Sequence, residues 1–228
     1  MHWLAEMVLD YRKRLMDIEF FQHVKNSTKK EDFAWARYLL HQSYEFPLIL
    51  SLRYSLCKDA KYRQYFAVHA DEEYGHCDML QNWMVRHGLM GEEEEVNAVP
   101  PTVETMSAIS YFYRQVITED ELAQLVGLNA VSEGIAADFF STLAPIVKTH
   151  GMGDEYWDIH AEVDVEHSEE CLTMFPEIDR DSALGIKLAR IVHESFVLNG
   201  YMLNSWIGIR ATMDTTGLNE SERQLVVA

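Results

Sequence analysis

The sequence predicts an all-α protein, a single-domain bundle of about seven helices. Three observations carry this. Apolar residues recur at i, i+3, i+4 and i+7 over long stretches, which is the helical period. Runs that alternate apolar and polar, as a strand would, are almost absent. Only five prolines and eleven glycines punctuate 228 residues. At 48% hydrophobic the chain can bury a proper core, and its composition does not shift along its length. One domain over 1–213 and a polar tail over 214–228 are therefore expected.

The elements follow in order. The first helix covers roughly 2–16, and a break is expected at Ile18–Asn26. The second runs from a Ser27 or Thr28 cap to Leu56, with Phe33, Ala36, Leu39, Leu40 and Tyr44 as its inner stripe and a kink at Pro47. The third runs from about Ala60 to His87 and stops at Gly88, a C-terminal signal. GEEEEVNAVPPT, 91–102, reads as an acidic, proline-closed, solvated connection, because four successive glutamates cannot share one face. Further helices are expected near 103–117, 119–149, 154–174 and 181–212, separated by Thr118, Gly151–Gly153 and Pro176.

Composition excludes several partners. With 37 acidic and 19 basic residues the formal net charge is −18, which repels phosphate backbones and anionic lipid surfaces. The longest nearly apolar run, around Phe46–Leu52, is too short to span a bilayer, and MHWLAEMVLDYRKR carries charges where a signal peptide needs apolar residues. Neither nucleic acid nor membrane is expected as a partner, and a cytoplasmic location is. Cys57, Cys77 and Cys171 form no CxxC pair and read as small core residues.

The chemistry lies in an octapeptide written twice: HADEEYGH, 69–76, and HAEVDVEH, 160–167, both His-Ala-x-x-acid-x-x-His. On a helix, positions i, i+4 and i+7 share a stripe, so His69, Glu73 and His76 form one column and His160, Asp164 and His167 another. Composition alone gives about 0.07 matches to this pattern. Surface ion pairs are the plain alternative, but Tyr65, Phe66, Leu80, Trp83, Ile159 and Val163 nearby point to packed faces. Imidazole and carboxylate without thiolate suit iron, manganese or zinc, and paired acid-x-x-His units in a bundle recur where two ions are bridged by carboxylates. Glu133, in LNAVSEGIAADFF, is the natural further acid, since a glutamate among small and apolar residues is costly to bury unless paired or metal-bound. A solvent-facing Glu133 is the other reading.

Glu73-x-x-His76, then Glu133, then His160-x3-Asp164-x2-His167, on three helices of an all-α chain, resembles the heme-oxygenase-like diiron oxidases and oxygenases. Their wider superfamily includes thiaminase II and the pyrroloquinoline quinone synthase. The resemblance covers roughly 18–210, and the three-part pattern is specific where a lone Glu-x-x-His is not. It implies a heme-oxygenase-like fold and two irons, cycling between Fe2+ and Fe3+, held by Glu73, His76, Glu133, His160, Asp164 and His167, with Glu133 as the bridge. It further implies O2 as co-substrate and desaturation, C–C cleavage or N-oxygenation of a small amino-acid- or fatty-acid-like substrate in specialised metabolism. His69 stands as either a seventh ligand or a hydrogen-bond donor behind the ligands, and Glu72 is an alternative to Glu73. Arg53, Arg114, Lys187 and Arg190 are candidate clamps for a substrate carboxylate, though each reads first as a surface charge. An external electron donor and a homodimer complete the expectation.

Three other readings compete. Thiaminase II-like hydrolysis needs a catalytic cysteine, and no cysteine here has an obvious basic activator. The quinone-synthase branch needs a basic pocket, which the net charge disfavours. A ferritin-type ferroxidase is imitated by the order Glu45, Glu73-x-x-His76, Glu133, Asp164-x-x-His167, but does not account for His160.

Overall fold

The computed structural model describes residues 3–211, and for 162–170 the backbone only. The expected tail, 214–228, lies outside the described residues. These form helices throughout, with no strand among them: α1 Trp3–Leu15, α2 Glu19–Lys25, α3 Ala36–Leu56, α4 Ala60–Glu72, α5 His76–Arg86, α6 Val103–Thr118, α7 Glu121–Thr149, α8 Glu155–Thr173 and α9 Ala183–Ser205. Several starts are set by side chains that satisfy orphan N–H groups. Asp59, Thr102, Asp120, Asp154 and Ser182 each accept from a backbone N–H two or three residues ahead.

α7 is the axis of the bundle, packed by α1, α2, α6, α8 and α9. It is also the one segment among the described residues long and apolar enough to cross a membrane, and so exceeds the run around Phe46–Leu52 expected to be the longest. Two-thirds of its most apolar window is buried inside the bundle, which accounts for its hydropathy. Within it, Leu125–Glu133 is a π-helix, every residue of which is buried. Gly127 sits there because the Gln115 side-chain amide occupies the space a Cβ would need.

An aromatic cluster fills one half of the core. Phe20, Trp35, Phe139 and Trp206 pack edge-on or stacked with ring centroids 5.2–6.4 Å apart. The cluster continues through Trp157 to Phe140 and Trp83.

The elements depart from expectation at four places. The expected break at Ile18–Asn26 contains α2, too short to be stable alone but carrying Phe20, Phe21 and Val24, all fully buried. The second helix starts at Ala36 and not at Ser27 or Thr28. The Asp32 carboxylate reaches back to the N–H groups of Thr28 (2.8 Å) and Lys29 (3.1 Å), closing a 3-10 turn over Lys30–Phe33 instead. Of its inner stripe, Phe33, Ala36, Leu39 and Leu40 are buried, whereas Tyr44 is 51% exposed. α3 runs through Pro47 without ending. The expected third helix is two helices, α4 and α5, divided at Gly75, whose φ of +96° is left-handed and open to glycine at little cost. The fourth departure is the π-helix of α7. Glu94, in the acidic connection, is held by Arg37 at 2.8 Å.

Candidate metal centre

Glu73 follows the last residue of α4 and His76 opens α5, so the turn at Gly75, not a continuous helical face, brings them together. Glu73 Oε2 lies 3.0 Å from His76 Nδ1. Glu73 is buried, at 7% exposure, whereas Glu72 points outward and is exposed, so the geometry favours Glu73 of the two.

α8 brings His160 from the other side, 6% exposed. Its Nδ1–H donates to the Tyr156 carbonyl at 2.7 Å, which leaves the Nε2 lone pair for another partner. The ring stacks on Phe140 at 4.3 Å and lies 4.3 Å from the His76 ring. Burial, with His76 close by, pushes the His160 pKa down, so the unprotonated, ligating form is the favoured one. α8 continues through Asp164 and His167, whose side chains lie outside the described residues.

Glu133 ends the π-helix and is 2% exposed, so the solvent-facing alternative does not hold. π segments lie often at functional sites. Here the segment aims both Glu133 and Asn129 at His69. His69 Nε2 is 3.0 Å from Glu133 Oε1, and His69 Nδ1 is 3.0 Å from Asn129 Nδ2.

Among the described residues two groups of donor atoms, each mutually within 4.8 Å, result: Glu73, His76 and His160, and His69, Glu73 and Glu133. Glu73 belongs to both. Two buried carboxylates this close to each other are expensive without a compensating cation. The buried cation nearby, Arg53, is bonded to Asn129 and His69. An all-oxygen-and-nitrogen donor set of this kind fits iron, manganese or zinc, and the residues present therefore fit a metal.

Beside the donors lies a cavity of ≈ 60 Å³, lined by Glu73, Glu133 and His160 together with Leu39, Phe46 and Phe140. Gln42, Ser43 and Ser132 supply its neutral polar groups. A second cavity of ≈ 40 Å³ shares Leu39, Gln42, Ser132, Ala136 and Phe140 with it and runs toward Met202 and Trp206.

None of the four candidate clamps lines either cavity. Lys187 pairs with Glu119 and Asp120, Arg190 with Glu194, and Arg114 is exposed. Arg53, expected first as a surface charge, has no exposed surface, and burial lowers its pKa to about 10. The sequence names Arg53 only as a candidate substrate clamp, not as a partner of His69, and does not single out Asn129. Arg53 is the one charged residue in ILSLRYSL, and Asn129 is the one amide in the mostly apolar LVGLNAVSE; those placements are the available signal. Glu45 accepts from the Tyr113 hydroxyl at 2.6 Å and belongs to neither donor group found among the described residues. The thiol of Cys77 is pushed up to about 11 by burial and Asp78, and burial also raises Cys57. Both shifts oppose a nucleophilic role.

The family model described as iron-containing redox enzyme matches residues 33–193. No curated protein matches the sequence. Among solved structures, a TenA homolog from Pseudomonas syringae pv. tomato str. DC3000 superposes with a TM-score of 0.74 at 13% identity, covering 91% of this chain and 92% of that one. A domain of unknown function with a heme oxygenase-like fold from Shewanella denitrificans OS217 gives 0.70 at 20% identity, covering 90% of each chain. At these identities the likeness is one of fold, and the fold is heme-oxygenase-like.

Proposed function

This chain belongs to the iron-containing redox enzyme family, and we propose that it is a non-heme diiron, O2-dependent oxidoreductase acting on a small organic substrate. The observation that carries this reading is the pair of donor groups sharing Glu73 at the wall of an apolar cavity. Glu73, His76 and His160 would hold one ion, and Glu133, Asp164 and His167 would complete a second site. Glu133 is the expected bridge, and Glu73, common to both groups, would share that task. Two ferrous ions in such a site supply the electrons that convert O2 into an oxidant.

The chain's own residues do the rest. Tyr156 fixes the tautomer of His160, and Phe140 blocks its ring from rotating. Leu39, Phe46 and Phe140 exclude water from the cavity and bury the apolar part of the substrate, and Gln42, Ser43 and Ser132 orient its polar end. An amino-acid- or fatty-acid-like carboxylate is the proposed substrate class, with desaturation, C–C cleavage or N-oxygenation as the outcome. An external electron donor, a homodimeric assembly and a cytoplasmic setting belong to the same proposal, with no role for nucleic acid or membrane.

The test is O2 uptake by the Fe(II)-loaded protein. Without substrate the reaction is expected to be slow, and one member of a panel of amino acids and fatty acids should accelerate it at least about tenfold, as completion of a site on substrate binding predicts. Uptake that climbs steadily with iron beyond two per chain, with mineral formed and no response to any organic compound, would establish a ferroxidase instead.

A further inference from the structure

His69 is gripped at both ring nitrogens. Nδ1 faces two groups: Arg53 Nη2 at 2.9 Å and Asn129 Nδ2 at 3.0 Å. A guanidinium nitrogen can only donate. The amide orientation of Asn129 is also determined, because its Oδ1 accepts from Arg53 Nη1 at 2.6 Å and its Nδ2 donates to the Tyr65 hydroxyl at 3.2 Å. Turning the amide over would set N–H against N–H. Both neighbours of Nδ1 are therefore donors, Nδ1 carries the lone pair, and the ring proton sits on Nε2. That proton points at Glu133 Oε1, 3.0 Å away.

We propose that His69, locked in the Nε2–H tautomer by Arg53 and Asn129, is a positioning residue that donates to Glu133 and is not itself a metal ligand. The conclusion rests on the metal-centre reading for its purpose, but on donor and acceptor counting for its geometry. A ligating histidine needs a lone pair aimed at the ion; the one lone pair of His69 is aimed away, at Arg53 and Asn129. Of the second donor group this leaves the carboxylates of Glu73 and Glu133.

The arrangement explains three features that the ligand set does not. Arg53 is completely buried yet touches neither Glu73 nor Glu133 among its hydrogen bonds, and its guanidinium is stacked 3.9 Å from the Phe66 ring centroid, which fixes its plane. Asn129 is buried four residues before Glu133. The π-helix places these two side chains at opposite nitrogens of one imidazole. The relay Arg53–Asn129–His69 therefore ends on the carboxylate oxygen whose orientation decides how Glu133 meets a cation.

Two measurements test it. In the metal-free protein, long-range nitrogen–proton NMR of the His69 ring should show an unprotonated Nδ1 and a protonated Nε2. A proton on Nδ1 overturns the proposal whether or not the protein binds iron. In the metal-binding arm, anaerobic Fe(II) titration of His69→Ala should leave the stoichiometry of the unmodified protein intact and weaken affinity about ten- to a hundredfold. His69→Gln, whose amide can accept from Arg53 and donate to Glu133, should recover most of that loss. Loss of one whole iron equivalent in both variants makes His69 a ligand and overturns the proposal, as does unchanged affinity in His69→Ala. Should the unmodified protein bind no iron, the proposed function fails while the NMR result still stands. Circular dichroism of the metal-free variants separates loss of fold from loss of affinity.

Discussion

Two halves of one core meet at Phe140. On one side Phe20, Trp35, Phe139 and Trp206 pack ring against ring. On the other, Arg53, His69, Glu73, Asn129, Glu133 and His160 are equally buried, none above 7% exposure. The first half is held by burial, which is non-directional and tolerates any arrangement that fills space. The second is held by matched donors and acceptors, and each mismatch there costs a desolvated polar group. Function is placed in the half where geometry is specified: the aromatic half stabilises the fold, and the polar half gathers donor atoms whose chemistry suits a cation.

The comparison breaks most visibly if the polar half is emptied. His160→Ala should cost at least one iron equivalent per chain, with helicity retained, read by metal analysis beside circular dichroism. Loss of helicity with unchanged iron in the folded fraction would make His160 a core residue. The aromatic half should answer in the opposite way. Trp35→Ala should lower unfolding stability by about 3–5 kcal/mol, as large aromatic truncations do, and leave the iron content of the folded protein unchanged. Chemical denaturation with metal analysis of the native pool checks both.

A smaller effect lies at the hinge between α4 and α5. Gly75→Ala places a Cβ at φ +96°, which should cost about 1–2 kcal/mol and shift Glu73 relative to His76, so iron affinity should fall along with thermal stability. Normal affinity would show that the turn is permissive. The smallest effect concerns Arg37, whose bond to Glu94 holds that carboxyl down at about 2 from its ordinary 4.5. The folded pKa is depressed, so the stabilisation is present above pH 4.5 and is lost as pH falls toward 2. Glu94→Gln should narrow the difference in stability between neutral and acid pH slightly, with no change in iron content. Acid-unfolding curves of the two proteins measure it.

Much of this was legible in the sequence because it is local. Helix starts expected near residues 60, 103, 119, 154 and 181 lie within two residues of those observed, at Ala60, Val103, Glu121, Glu155 and Ala183. The repeated His-Ala-x-x-acid-x-x-His named His69, Glu73, His76 and His160, and an acid in an apolar run named Glu133. What was not legible depended on contacts across the chain or on equal burial all round. The break at Gly75 was hidden because Phe66, Leu80 and Trp83, all fully buried, keep an apolar pattern on both sides of it. The π-helix was hidden because Leu125–Glu133 is buried on every side, so periodicity carries no information there. Arg53 read as a surface charge because its reason for burial, the His69 ring, lies on another helix.

A polar half of the core built around metal must bind it. Anaerobic addition of Fe(II) to the metal-free protein, followed by metal analysis after desalting and by thermal melting, tests it most directly. Close to two irons per chain should be retained, and the melting temperature should rise, since a ligand bound only by the folded state stabilises it by mass action. Iron that washes away and a melting temperature that does not move would contradict the claim, and would mean that the carboxylates of Glu73 and Glu133 are satisfied within the protein itself.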